Sequence, residues 1–221
     1  MSVNWHEAVL GQLEFYWDFH LRPRLEGLTD DEYLWEPVDG CWSLRPDDSG
    51  ALVMDEARPE PVPPPVTTIA WRMTHVGRDV LGIRARAFFG PHEGLEDAGM
   101  FDRRLWPEPL PATADGAVAM LEAAYGHWRG AIAALSDVEF EAPLGPKGEA
   151  YDRDSMGALV LHLNREVMAH GAEICLLRDL YRASFGKRPK RSAEQQRRFD
   201  ELLEKGITEN RELLELLAKD D

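Results

Sequence analysis

The stretch that decides the fold covers residues 154–186 and reads DSMGALVLHLNREVMAHGAEICLLRDLYRASFG. Hydrophobic side chains recur along it at mostly three- or four-residue steps: Leu159, Leu163, Val167, Ile174, Leu177 and Tyr181. This spacing matches the 3.6-residue period of an α-helix and not the two-residue period of a strand. We therefore expect one long helix that begins at residue 154 or 155, ends at Gly186 and buries one side.

Three segments before it show the same helical spacing. They cover residues 3–26, residues 67 or 68 to 90, and residues 113–135. Threonines that can cap a helix precede the second and third segments, and Gly90-Pro91 ends the second. Pro23 is expected to kink the first segment, because proline lacks the N–H that an α-helix needs. The predicted fold class is therefore all-α, a four-helix bundle with long connections.

The longest connection lies between the first and second predicted helices. Residues 41–44 and 51–54 flank the turn-forming sequence Asp47-Asp48-Ser49-Gly50, a pattern that predicts a small β-hairpin. The segment 59–65 contains five prolines and is expected to be extended. A connection of about 40 residues is uncommon in a compact domain unless it carries function.

After the bundle, the basic sequence KRPKR at 187–191 predicts a solvated linker. A fifth helical pattern begins at Ser192 and places several hydrophobic residues on one face: Phe199, Leu203, Ile207, Leu214 and Leu217. The predicted domain organisation is a four-helix bundle at 1–186 and a C-terminal helical extension at 187–221.

The composition excludes several classes of partner. The 221 residues include 40 Asp and Glu against 25 Lys and Arg, so the net charge is −15 and disfavours nucleic acids and anionic membranes. The sequence contains no run of 18 apolar residues, so it predicts no membrane span, and the first 20 residues lack a signal-peptide pattern. Cys41 and Cys175 are too isolated for a disulfide framework and are expected to be inert buried thiols. We therefore expect a cytoplasmic protein that acts on a small molecule.

Polar side chains interrupt the apolar fourth helix at four-residue steps. His162, Glu166 and His170 lie on adjacent turns, where Glu166 and His170 could bind one ion. A third ligand fits better from another helix, and His75 is the candidate in the second helix. Two imidazoles and one carboxylate leave a divalent cation with charge +1 and open coordination positions. Zinc and non-haem iron both use this type of donor set in catalytic sites.

Other interpretations of these residues stay open on sequence alone. A Glu-x-x-x-His pair often forms a simple hydrogen bond on a helix surface, and a single histidine is more often structural than a ligand. Asp79 and Glu173 could hold the second N–H of ligand imidazoles, or could face solvent and pair with Arg78 and Arg178. His162 could line a pocket or simply lie on the helix face. The remaining histidines receive no predicted role: His6, His20, His92 and His127.

Several of these residues together resemble a known family. They are His75, the sequence HGAEICLLRDLY at 170–181, and the sequence LTDDEYLWEP at 28–37 followed by Cys41-Trp42-Ser43. Over about residues 5–185 the chain resembles the DinB-like superfamily of four-helix-bundle metalloenzymes. Many members carry a histidine on the second helix and a His-x-x-x-His pair on the fourth. Here Glu166 stands at the first position of that pair, which resembles the His…Glu-x-x-x-His set of the mycothiol-dependent maleylpyruvate isomerases.

The resemblance implies both a ligand set and a type of chemistry. The metal ligands would be His75, Glu166 and His170, and the metal would be zinc, with iron or nickel as alternatives. The implied activity is a thiol-dependent S-transferase or isomerase that uses mycothiol or a similar low-molecular-weight thiol, because coordination to a cation deprotonates a thiol. The alternative is a non-catalytic bundle that binds a small ligand or a partner and retains a vestigial metal site. A homodimer is also expected.

Overall fold

The computed structural model describes residues 4–91, 93–106 and 108–186, together with residues 197, 198, 200, 201, 204, 205 and 208. The chain divides into two compact units, Met1–Arg182 and Ala183–Asp221. The seven described residues after 186 are helical. The predicted basic linker and most of the predicted C-terminal helix lie outside the described residues.

The first bundle helix is interrupted by one wider turn. Helix α1 (Trp5–Tyr16) is capped by the Asn4 side chain, passes into a π-helical segment (Trp17–Leu21) and continues as α2 (Arg22–Leu25). The wider turn ends two residues before Pro23, which cannot donate an α-helical hydrogen bond. A short helix α3 (Asp30–Tyr33) follows, and the Thr29 hydroxyl accepts the N–H of Glu32 at its start.

The second bundle helix has a longer π-helical segment in its middle. Helix α4 (Ile69–Thr74) begins after the capping residue Thr68, the π-helical segment covers His75–Gly82, and α5 (Ile83–Phe89) follows. The bounds agree with the sequence prediction, but the α-helical period predicted for the middle of this helix is wrong. The difference decides which side chains share a face, because a π-helix has wider turns than an α-helix.

The third and fourth bundle helices match their predicted bounds closely. Helix α6 (Ala114–Ala133) is capped by the Thr113 hydroxyl, which accepts the N–H of Gly116. A short helix α7 (Asp137–Glu141) follows, and then α8 (Met156–Ser184) runs for 29 residues. Two short 3₁₀-helical segments lie in the connections, at Arg103–Leu105 and Gly145–Tyr151.

The predicted hairpin after the first helix is present. Strands β1 (Leu44–Pro46) and β2 (Leu52–Met54) pair antiparallel, with Leu44 opposite Met54. Strand β1 starts at the last residue of the segment predicted for it. The carboxylate of Asp47 accepts the N–H groups of Ser49 and Ala51, which fixes the turn.

The bundle helices enclose one hydrophobic core in the first unit. Its most buried side chains come from every bundle helix and include Leu13, Leu21, Met73, Leu121, Trp128, Ile132, Val160 and Ile174. The predicted fold class, a mainly helical bundle with a small hairpin, is confirmed. Within the described part of the chain, no helix combines the length and apolar character that a bilayer crossing requires.

One buried ion pair joins α3 to α8. The Nε and Nη2 atoms of Arg178 donate to the two carboxylate oxygens of Glu32 at 2.8 and 2.9 Å, and Arg178 is fully buried. Arg178 also donates to the backbone carbonyls of Arg24 and Glu26. The alternative in which Arg178 pairs with Glu173 is therefore wrong. Its guanidinium instead binds Glu32 and the carbonyl groups at the end of the first bundle helix.

Candidate metal centre

The structure brings the three predicted ligands together. One nitrogen or oxygen atom from each of His75, Glu166 and His170 lies within 4.8 Å of those of the other two. The Nε2 atom of His170 is 3.3 Å from the Oε2 atom of Glu166. Neighbouring ligands of a tetrahedral zinc ion are about 3.4 Å apart if each bond is about 2.1 Å long. The spacing of this pair therefore fits a common ion without a large movement.

Two helices and their aromatic neighbours position the imidazoles. His75 is the first residue of the π-helical segment, and its ring stacks on Trp71 with centroids 5.2 Å apart. Trp71 is held in turn, because its indole N–H donates to the backbone carbonyl of Asp55 at 2.8 Å. The rings of His75 and His170 meet edge to face at 4.9 Å. The side chains of the cluster are between 16% and 27% exposed, so solvent reaches a site that is otherwise enclosed.

A carboxylate contacts the Nδ1 atom of each imidazole. The Nδ1 atom of His170 is 2.7 Å from Oε2 of Glu173, and that of His75 is 3.4 Å from Oδ2 of Asp79. A carboxylate is an acceptor, so each pair favours the tautomer with the proton on Nδ1 and a free lone pair on Nε2. Metal-bound histidines usually have such a partner, which fixes the ring and strengthens the ligand.

An arginine forms an ion pair with each of these two carboxylates. Arg78 donates to Asp79, with Nε 2.7 Å from Oδ1, and Arg72 lies with Nε 2.9 Å from Oε2 of Glu173. Burial alone would raise the pKa of Asp79, but hydrogen bonds from His75 and Arg78 hold it below its ordinary value. Both sequence interpretations of Asp79 therefore hold at once: it contacts a candidate ligand and it pairs with Arg78. Glu173 pairs with Arg72 instead of Arg178.

His162 lies outside this three-residue cluster. Its Nδ1 atom is 2.7 Å from a guanidinium nitrogen of Arg165 and 3.7 Å from Glu166, and its side chain is 44% exposed. Partial burial is the main cause that lowers the pKa of His162. Of the histidines without a predicted role, His92 is outside the described residues.

A cavity of about 410 Å³ adjoins the cluster, and His75 and Glu166 belong to its wall. The hairpin strand Leu52–Met54 forms part of another side, together with residues of the connection between the second and third bundle helices. The volume is in the range of small-molecule sites. The long connections therefore contribute to a cavity beside the candidate ligands.

Sequence reasoning missed two arginines at this site. Arg72 forms an ion pair with Glu173, and its Nη1 atom also lies 3.2 Å from Nδ1 of His170, a contact between two donors when Nδ1 carries the proton. Arg84 lies in the cavity wall. Arg72 is three residues before His75, so helical spacing could have placed it nearby. No such signal existed for Arg84, because nine residues of ideal α-helix separate two side chains by about 180°.

Comparisons with known proteins support the family and no closer relationship. The family model of the DinB superfamily matches residues 20–174, which is more than half of the chain. No curated protein and no solved structure gave a significant match. The match covers the second bundle helix, the cavity and all three residues of the cluster. The chain therefore belongs to the DinB superfamily, whose members typically bind metal.

Proposed function

We propose that this protein is a divalent-metal-dependent enzyme that activates a low-molecular-weight thiol for transfer to, or isomerisation of, a small-molecule substrate. The observation that carries the proposal is the convergence of His75, Glu166 and His170 at the wall of a cavity. The specific likeness to mycothiol-dependent maleylpyruvate isomerases belongs to this proposal and rests on Glu166 at the first position of the pair.

The donor set suits a divalent cation. Two neutral imidazoles and one carboxylate would leave charge +1 and would leave coordination positions for other ligands, as in catalytic zinc sites. Zinc fits these donors best, and iron or nickel also accept them. When bound, such a cation lowers the pKa of a coordinated thiol or water molecule, which makes either a better nucleophile at neutral pH.

The surrounding side chains would keep the site ready for this chemistry. Asp79 and Glu173 accept the Nδ1 protons of the imidazoles, so the Nε2 lone pairs stay available. Arg78 and Arg72 hold those carboxylates in place, so metal binding would need little rearrangement. The half-enclosed cavity would limit the access of water to the reacting groups.

The thiol has to come from outside the chain. Burial raises the pKa of the Cys41 thiol, and it also raises the pKa of the Cys175 thiol. Neither cysteine is among the residues that line the cavity. Mycothiol or a similar small thiol is therefore the proposed co-substrate.

Cobalt substitution tests the proposal. The full chain is freed of metal with a chelator, reloaded with Co²⁺ and titrated with mycothiol. A thiolate-to-cobalt charge-transfer band is expected for the wild type and for the control His20→Ala, whose histidine is exposed on the first bundle helix, but not for His170→Ala. The loaded wild type should also accelerate the conjugation of the same thiol with monochlorobimane.

The outcomes separate the alternatives. If no Co²⁺ binds, the metal proposal fails as a whole. If Co²⁺ binds and the thiol gives no band, the thiol chemistry is wrong. If the band forms but conjugation is no faster than without protein, the non-catalytic bundle is favoured over the enzyme.

Three sequence-based expectations remain proposals: the domain boundary at 186/187, the homodimer and the cytoplasmic location. Sedimentation velocity of the full chain tests whether the protein is a homodimer. A single species at the mass of a monomer, 25.0 kDa, over a wide range of protein concentration would contradict it.

A further inference from the structure

Arg84 is a partly buried cation of the cavity wall with no ionic partner among the described residues. Arg84 lies one residue inside α5, and its guanidinium is stacked over the ring of Phe101 at 4.7 Å. Its Nε atom is buried and makes no hydrogen bond to any described residue. Among the described residues, no carboxylate lies within 4.0 Å of this guanidinium.

The other arginines of the cavity are either paired with a carboxylate or exposed to solvent. Arg78 donates two hydrogen bonds to Asp79, and Arg103 donates to both carboxylate oxygens of Glu56 at 2.9 and 3.0 Å. Arg58 is exposed, so water can solvate it. Arg84 is therefore a partly desolvated charge that the described residues leave without an anion.

Such a group is costly to the folded protein. Burial lowers the pKa of Arg84, and the charges of Asp79, Glu166 and Glu149 only oppose this effect from a distance. Arginine keeps its proton in proteins, so the charge remains and has to be stabilised in another way. A planar guanidinium is suited to two parallel hydrogen bonds with a carboxylate.

The rest of the wall indicates what kind of anion would fit. Apolar side chains of the same cavity wall include Val80, Ile83, Leu110 and Leu163, and these favour a hydrocarbon body. The wall also contains Glu108 and Glu166, which would repel a doubly charged phosphate more than a singly charged carboxylate.

We propose that Arg84 binds the carboxylate of the substrate, so that the cavity selects small carboxylic acids with an apolar body. The inference rests on the proposed function only in taking this cavity as the substrate site. Arg84 is then a specificity-determining residue of the second bundle helix, and the substrate's carboxylate supplies the missing partner of its guanidinium.

Binding of a matched pair of probes tests the proposal. The affinities of 3-phenylpropionate and of the neutral 3-phenylpropionamide are measured by NMR titration, on the full chain loaded with Zn²⁺ and again after metal removal. In both forms the wild type should prefer the carboxylate by about tenfold or more, the effect of a charge-assisted hydrogen bond. Arg84→Gln should remove this preference and leave the affinity for the amide within about twofold.

Two variants serve as controls. Arg103→Gln removes a cavity arginine that already has a partner, so it should change the carboxylate affinity by less than about threefold. Arg84→Lys should retain part of the preference, because it keeps the charge but loses the planar fork. The melting temperature of Arg84→Gln should not fall by more than about 2 °C, since no ion pair is lost.

Several results would overturn the proposal. An unchanged carboxylate preference in Arg84→Gln excludes Arg84 as the binding group. A preference that vanishes on metal removal assigns the carboxylate to the ion, and tighter Arg84-dependent binding of phenyl phosphate contradicts the carboxylate class. A fall in melting temperature well beyond 2 °C would mark Arg84 as a structural cation. Because the metal-free measurement does not involve the ion, failure of the metal proposal would leave this result unaffected.

Discussion

The Nδ1 atom of His170 lies 2.7 Å from the Oε2 atom of Glu173, three residues further along α8. Arg72 from the second bundle helix contacts the same carboxylate oxygen at 2.9 Å. This chain of contacts connects the two helices that supply the candidate ligands. The shorter contact, to the carboxylate, favours the His170 tautomer with its proton on Nδ1, so this contact is expected to matter for metal affinity.

Replacing Glu173 should therefore weaken metal binding without removing a ligand. Glu173→Gln keeps the size of the side chain but removes the charge that holds the Nδ1 proton, and we expect zinc affinity to fall about tenfold or more. Competition with a fluorescent chelator measures the zinc affinity. Asp179→Asn is the matched control, because Asp179 lies on the same helix and pairs with Arg24 away from the cluster. Equal affinities for wild type and Glu173→Gln would show that the contact does not support a ligand.

The two cysteines should react slowly with alkylating reagents. Cys41 is only 2% exposed, and burial raises the pKa of both thiols, so little thiolate forms near neutral pH. Iodoacetamide at pH 8 should label the native chain much more slowly than free cysteine, and urea should restore the rate. The double variant Cys41→Ser/Cys175→Ser should keep any thiol-dependent activity. Loss of that activity in a folded double variant would contradict an external thiol.

The Arg178–Glu32 pair should contribute strongly to folding. Arg178→Met leaves the buried Glu32 carboxylate with only Arg182, whose Nε atom is 3.4 Å away, so the expected loss is below the about 3–5 kcal/mol typical of a buried charge left with no partner. Urea unfolding at pH 7 measures the free energy of unfolding. Arg165→Met, an exposed position on the same helix, should change it by no more than about 0.5 kcal/mol. If the two variants lost equal stability, the buried pair would not be the source of the effect.

The pKa of His127 on α6 should be lower than that of an ordinary histidine. Burial, together with the charge of Arg86, lowers the pKa of His127. The unfolded chain therefore binds this proton more tightly than the folded one, so stability falls as the pH drops below about 6.5 and continues to fall until the folded pKa is passed. NMR of the imidazole carbons measures the pKa directly, and Arg86→Gln should raise it. A value at or above about 6.5 in the native chain would contradict the burial argument.

Much of this structure could be predicted because the sequence of α8 contains two patterns, one of apolar and one of polar residues. Its apolar positions repeat at the α-helical period, which predicts the bundle. Its polar residues at 162, 166 and 170 stand out against that pattern, which predicts a site. The capping threonines Thr68 and Thr113 fix the start of two helices, because their hydroxyls accept backbone N–H groups that no helical carbonyl can accept.

The π-helical segment explains what the sequence could not reveal. In an uninterrupted α-helix, Arg84 would lie on the opposite side from His75, yet both belong to the same cavity wall. The wider turns of His75–Gly82 remove this difference. The backbone of this segment approaches Gly82 closely, since a Cβ atom added there would lie 2.6 Å from the carbonyl oxygen of Gly77. Such a segment has no simple periodic signature.

The partner of Arg178 could not be predicted from spacing either. Helical neighbours suggested Glu173, but Glu32 lies 146 positions earlier in the chain and reaches Arg178 only in the folded bundle. Long-range pairs of this kind follow from the packing of helices, which a single sequence does not specify residue by residue.

Anomalous diffraction at the zinc edge, on crystals of the full chain grown with Zn²⁺, tests the central claim most directly. We expect one peak bound by His75, Glu166 and His170, at about 2.0–2.2 Å from one atom of each. The Nδ1 atom of His75 should still contact the carboxylate of Asp79, and that of His170 should still contact the carboxylate of Glu173. The account would be contradicted if crystals grown with Zn²⁺ showed no ion at these three residues, or an ion bound by other side chains.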